Sequence, residues 1–159
     1  MSDWYALVDG AQDPGLFPLL KRSRHHSCLF AGKLDPVLEP VSPYLVLLDE
    51  REPLLPTWRD HGAGRNWGML VESTLGMDAL RRHFRRFLQV RLPAGEIVLF
   101  RFFDPRVFAT YITSAPPEQA EGWFRGVMQY MVEAEGVTHS YRWRQGRLFD
   151  FDQPVAVPA

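Results

Sequence analysis

The side chains best suited to chemistry are few in this sequence, and their spacing suits chemistry poorly. His25 and His26 are adjacent, so on a strand they point to opposite faces and cannot chelate one metal as a helical i,i+4 pair can. Cys28 shares the alternation of His26, and a Cys–His nucleophile pair is conceivable there. No local signature of a thiol enzyme surrounds it, however, and the plain alternative is a buried structural thiol beside surface histidines. His61, His83 and His139 each stand alone in sequence. Gly62-Ala63-Gly64-Arg65-Asn66-Trp67-Gly68 comes nearest to a phosphate loop, yet it precedes a strand-like run and lacks the Lys-Ser/Thr end. Glycines that permit a tight entry turn account for it. The patterns G-x-S-x-G and H-E-x-x-H do not occur. Asp9, Asp13, Asp35, Asp49 and Asp60 are scattered in turns, where aspartate caps the chain, and nothing singles out a carboxylate pair for glycosidic chemistry. The expectation is a protein that is not an enzyme and uses neither cofactor nor metal.

The sharper feature is basic. Seven arginines lie between Ala79 and Arg106 against Glu96 and Asp104, whereas Pro117 to Gly136 carries four glutamates and one arginine. Arg81, Arg82, Arg85 and Arg86 fall on the polar side of a helix whose other side holds Leu80, Phe84 and Phe87. Arginines four apart repel by roughly a few tenths of a kcal/mol per pair. A cluster kept despite that cost implies an anionic partner, or carboxylates elsewhere in the fold that neutralise it; the sequence leaves both open. Nucleic acid is disfavoured as the partner by the formal net charge of −1. One cysteine excludes an internal disulfide and fits a reducing compartment. No apolar run reaches roughly 18 residues, and the first residues lack a basic start and an apolar signal core, so the expected location is the cytoplasm, with no membrane partner.

A chain of 159 residues with 46% hydrophobic content can bury a core without staples. Apolar runs at Trp4–Val8, Ser27–Ala31 and Tyr44–Leu48 do not alternate and read as strands covered on both faces. Asp13-Pro14 predicts the start of a short helix through Leu20, and a second short helix covers Leu54–His61. Trp67–Glu72 is strand-like. The basic helix runs over Met77–Phe87, with Ser73 or Thr74 available to cap it. Val90–Leu92 and Ile97–Phe103 flank the turn Pro93-Ala94-Gly95-Glu96 as a hairpin. Asp104-Pro105 launches another helix, Pro116-Pro117 a further one carrying Trp123 and Phe124, and Val127–Val132 and Thr138–Trp143 form a last pair of strands. The fold class is therefore α/β, or α+β: a single domain with a mixed β-sheet and helices packed on it, spanning residues 1–152, with 153–159 a loose tail. Tyr130, Tyr141 and Trp143 on the last strands are candidates for an apolar partner surface; they serve equally well as core.

Several stretches carry a resemblance. Tyr5-Ala6-Leu7-Val8-Asp9-Gly10-Ala11, Val41-Ser42-Pro43-Tyr44-Leu45-Val46 and Gly64-Arg65-Asn66-Trp67-Gly68 are similar to the first strand, third strand and Trp-Gly element of the type VI secretion effector chaperone or adaptor family. The most specific stretch is the basic helix Leu80–Val90 running into Leu99-Phe100-Arg101-Phe102-Phe103-Asp104-Pro105-Arg106-Val107. The resemblance covers Trp4 to Trp123. It implies a non-catalytic, cofactor-free escort that binds one effector protein, often through its N-terminal region, and helps join it to the tip protein of the secretion spike. Longer relatives carry a second C-terminal lobe, whose contacts are expected to be absent here or replaced by Gly136–Ala159. The family supplies no contact motif to carry over, so Arg81, Arg82, Arg85, Arg86, Tyr130, Tyr141 and Trp143 stand as partner-binding candidates on their chemistry alone. Arg101 and Arg106 read as structural, with Asp9 or Glu72 as the carboxylate an arginine in an apolar run requires. The alternative function is an immunity protein that neutralises a toxin.

Overall fold

A run without alternation, such as Trp4-Tyr5-Ala6-Leu7-Val8, is stable only where both sheet faces are covered. In the computed structural model, which describes residues 1–157, this run is β1 (Asp3–Asp9), flanked by β3 (Pro43–Leu47) and β4 (Gly68–Ser73). Tyr5 and Leu7 point into one core and Ala6 and Val8 into another, on the opposite face. The short β2 (His26–Cys28) lies beyond β3 at one edge. On the other side follow β7 (Val127–Ala134), β8 (Val137–Arg144), β9 (Arg147–Asp150) and β10 (Gln153–Pro154). The order is β10-β9-β8-β7-β4-β1-β3-β2, and every pairing in it is antiparallel. Helices pack on this one sheet in a single unit, as expected, and of the two forms anticipated it is the α+β one.

The smaller core is closed by α1 (Leu16–Leu20) and α2 (Leu54–His61), which bring Leu16, Leu20 and Leu54 against Ala6, Val8 and Val46. Asp13 does not cap α1 directly. Its carboxylate accepts from Gly15 N at 2.8 Å, and Gly15 is the residue that opens the helix. The larger core is aromatic and lies under α3 (Met77–Arg85), α4 (Pro105–Ser114) and α5 (Pro117–Gly122). The cap of α4 is the one expected: Asp104 accepts from Arg106 N at 3.0 Å, with Pro105 in the first turn. α3 instead starts after Gly76, while the Ser73 hydroxyl accepts from Leu75 N at 3.0 Å and donates to Gly126 O at 2.5 Å.

The expected hairpin forms as β5 (Gln89–Arg91) and β6 (Ile97–Leu99), a two-stranded sheet of its own. It is shorter than the run Ile97–Phe103 suggested, because Phe100, Phe102 and Phe103 turn inward. Phe102 meets Trp123 at 5.0 Å between ring centroids, and Trp123 stacks on Phe87 at 3.8 Å. Burial of these rings outweighs continued strand pairing. The strand β9 was not anticipated. Gln145-Gly146, with φ of 53° and 73°, forms the tight turn into it, as Glu135-Gly136 does between β7 and β8. The tail expected to be loose from residue 153 is tied down at its start: Gln153–Pro154 pair with β9, and Val155 N donates to Leu148 O at 2.9 Å. Residues 158–159 of that tail lie outside the described residues.

Candidate partner-binding surface

The basic helix owes its register to Leu80 and Phe84, both buried in the aromatic core. With that face committed, Arg82, Arg85 and Arg86 turn toward a groove of about 830 Å³, whose wall is completed by Leu75, Arg125 and Gly126. Arg125 arrives from a segment that is acidic in sequence. Thr74 N and the Ser73 hydroxyl both bond Gly126 O, at 3.1 and 2.5 Å, and a bulge between Glu72 and Ser73 permits it. Gly126 must be glycine there, since φ is +77° and a Cβ would lie 2.6 Å from Leu75 Cγ.

The groove thus gathers four guanidinium groups and no carboxylate. Among the described residues none of these four arginines forms an ion pair; the salt bridges present involve Arg65, Arg101, Arg106, His139 and Arg144. Among the described residues no carboxylate of the fold is ion-paired with the cluster. Part of the cluster has a local cause, because cations in the last turn of α3 complement the helix dipole by about 0.3–1 kcal/mol each. That cause does not extend to Arg125, which sits beyond α5.

His83 forms the floor. Its Nδ1 accepts from Arg86 Nη2 at 3.0 Å, so Nε2 carries the proton and donates to Trp123 O at 3.2 Å. Burial, opposed by the Trp123 bond but reinforced by the Arg86 and Arg125 charges, pulls its pKa down to about 4. The floor is neutral, and the charge of the groove is carried by arginine alone.

The remaining candidates separate. Arg81 is not part of the groove: its Nε donates to Cys28 O at 2.8 Å and closes the last outward carbonyl of β2, which makes it structural. Tyr130 and Tyr141 are corrected as well. They are 0% and 3% exposed, face α4 from β7 and β8, and sit 4.8 and 6.4 Å from the Phe108 ring, so no partner reaches them. The Tyr130 hydroxyl donates to Trp123 O. Alternation places their side chains on the helix-covered face, and that face was not identifiable before the strand order was known. Trp143 does reach the surface. It is half-buried, stacks on Phe124 at 6.0 Å, and borders a second groove with Met128, Arg142 and Arg144.

The Arg101 question resolves toward Asp9. The fully buried Asp9 carboxylate accepts from Arg101 Nη2 at 2.7 Å, Gln12 Nε2 at 2.9 Å and Ala11 N at 3.1 Å. Arg106 pairs with Asp104 at 2.8 Å, and its bonds hold the Asp104 carboxyl below its ordinary value against the opposing effect of burial. Glu72 is engaged elsewhere, accepting from Ser2 Oγ at 2.7 Å and Gln129 Nε2 at 2.5 Å. Cys28 is half-buried with its thiol pushed up, chiefly by desolvation, the reverse of what a nucleophile needs. His26 spends Nδ1 on Ser23 O at 3.0 Å. Among the described residues no group of three or more His, Cys, Asp or Glu is placed to hold a metal, and no helix is long and apolar enough to cross a membrane.

The family model described as a domain of unknown function (DUF4123) matches residues 4–122, from the second residue of β1 to the end of α5. No curated protein and no solved structure matches the chain. The elements that build the arginine groove and the hairpin beside it fall inside the matched span, apart from Arg125 and Gly126, and the chain belongs to the DUF4123 family.

Proposed function

We propose that this protein is a non-catalytic cytoplasmic adaptor that binds a cognate type VI secretion effector, through the effector's N-terminal region, and helps join it to the spike tip protein. The observation that carries this reading is the groove of Arg82, Arg85, Arg86 and Arg125, which has no carboxylate of its own among the described residues. Four guanidinium groups without an ion pair suit an acidic protein surface, raising the rate of encounter and fixing register more than affinity. The family supports the reading: its model matches residues 4–122, nearly the stretch Trp4–Trp123 on which the resemblance to effector adaptors rests. The work asked of the chain is recognition, without cofactor, nucleic acid or membrane.

The test is co-purification of the tagged chain from its native bacterium, followed by charge reversal. Wild type should recover one large polypeptide bearing a toxin domain, alone or with a spike tip protein. Arg82→Glu/Arg85→Glu/Arg86→Glu changes only exposed or half-exposed side chains; it gives up the Arg86 bond to His83, so folding is checked by circular dichroism, and the folded variant should lose that recovery at least tenfold. Undiminished recovery by the folded triple variant would remove the groove from the function. A captured toxin whose activity is abolished by the complex would instead mark an immunity protein.

A further inference from the structure

The hairpin of β5 and β6 stands outside the eight-stranded sheet, with all six strand residues exposed. Val90, Leu92, Ile97, Val98 and Leu99 are between 37% and 56% exposed. Only the root is anchored, where Phe100 N donates to Leu88 O at 2.7 Å and both side chains pack into the aromatic core. A lone two-stranded hairpin is marginally stable in water. An aliphatic edge left open invites pairing unless charges or proline blunt it.

Register decides which backbone groups are open. Leu88–Phe100 and Leu92–Glu96 are hydrogen-bonded pairs, the latter at 2.7 Å, so by alternation Val90–Val98 is one too. Gln89–Leu99 and Arg91–Ile97 are then the pairs whose N–H and C=O groups point away from the partner strand. The two edges differ. The open positions of β5 are Gln89 and Arg91, both polar, while those of β6 are Ile97 and Leu99, with no charge between Glu96 and Arg101.

We propose that the free edge of β6 accepts an extended acidic segment of another protein as a third strand, pairing on Ile97 and Leu99. Main-chain bonds supply the attachment, and aliphatic residues of the incoming strand cover side chains that now face water. Its acidity follows from the surroundings. The hairpin grows from the C-terminus of the arginine helix and carries Arg91, and Glu96 is the one acid between Asp78 and Asp104. A second copy of this chain would bring the same basic surface and is disfavoured. The inference deepens the adaptor reading, and rests on it for the statement that the occupant is a foreign protein.

The probe is a capped synthetic peptide of about nine residues alternating valine or isoleucine with glutamate, titrated into the full chain and followed by calorimetry and amide hydrogen exchange. The acidic peptide should slow exchange at Ile97 and Leu99 at least tenfold and leave His26–Cys28 unchanged. Its lysine counterpart, and a version with proline at its centre, should bind at least tenfold more weakly. On the protein, Leu99→Pro removes an outward donor, and Ile97→Lys places a charge on the edge while sparing the hairpin's own bonds; each should weaken binding at least tenfold. Equal affinity for the lysine peptide, protection at β2 instead of β6, or no binding at millimolar peptide would overturn the proposal. So would a concentration-dependent dimer that Ile97→Lys abolishes, since it would assign the edge to a second copy. Effector recovery separates the two ideas. If Ile97→Lys still captures the effector while the triple arginine reversal does not, the adaptor reading stands and the β6 edge falls; a peptide that docks on β6 with no effector recovered means the converse.

Discussion

His83 makes the chain acid-sensitive at a point where most carboxylates are still charged. Its pKa of about 4 in the folded state lies below the ordinary 6.5, so between these values the unfolded chain binds more protons than the folded one. Stability is therefore intact above pH 6.5 and is lost progressively as the pH falls toward 4. Linkage with these two values gives a loss of about 2 kcal/mol at pH 5, approaching about 3 kcal/mol below pH 4. The structural cause is specific: a proton on Nδ1 displaces the bond from Arg86 Nη2 and sets two cations in contact, with Arg125 nearby. His83→Gln isolates the effect, because its amide can donate to Trp123 O and accept from Arg86 without titrating. Urea unfolding of both proteins between about pH 7.5 and pH 5, at fixed salt, should show the wild type losing about 2 kcal/mol relative to the variant. In melting temperature the gap opens by about 4–8 °C. Parallel stability curves, or an imidazole resonance of His83 titrating near 6.5, would refute the buried, arginine-facing geometry. An acidic ligand in the groove should raise the His83 pKa, so the same resonance reports on occupancy.

Two further outcomes test the frame that holds the surface. Gly68 has φ of +151°, and a Cβ there would lie 1.9 Å from Leu7 O in the neighbouring strand, so Gly68→Ala should cost at least about 4 kcal/mol or abolish folding; a variant with the wild-type urea midpoint would contradict the β1–β4 register. Asp9→Ala strips acceptors from Arg101, Gln12 Nε2 and Ala11 N at once and should cost about 2–3 kcal/mol in urea unfolding, moderated because Arg101 is partly solvated. Asp9→Asn, which keeps an acceptor, should cost less.

Local chemistry sufficed for much of the frame. Unbroken apolar runs marked β1 and β3 as strands buried on both faces, the 3.6-residue stripe of Leu80, Phe84 and Phe87 marked α3, and Asp104-Pro105 marked the start of α4, because each signal is complete within one or two turns of chain. Three of the four arginines of the groove were legible for the same reason: amphipathicity alone tells which side of a helix faces out. What alternation cannot tell is which face of a strand will be covered. Tyr130 and Tyr141 therefore stay open between surface and core until β7 and β8 are placed under α4. Nor can a local pattern choose between Asp9 and Glu72 for Arg101, 92 residues from the one it takes. Arg125 had no signal at all. It sits in an acidic stretch of sequence, and only the Ser73 and Thr74 bonds to Gly126 carry it to α3. The sequence by itself settled the type of most elements up to β8, though not β9 or β10, and the exposed face of the basic helix, since these depend on residues a few positions apart. The tertiary structure decided which charges go unpaired, which aromatics are core, and that β6 keeps an open edge. Those depend on groups far apart in the chain competing for the same space.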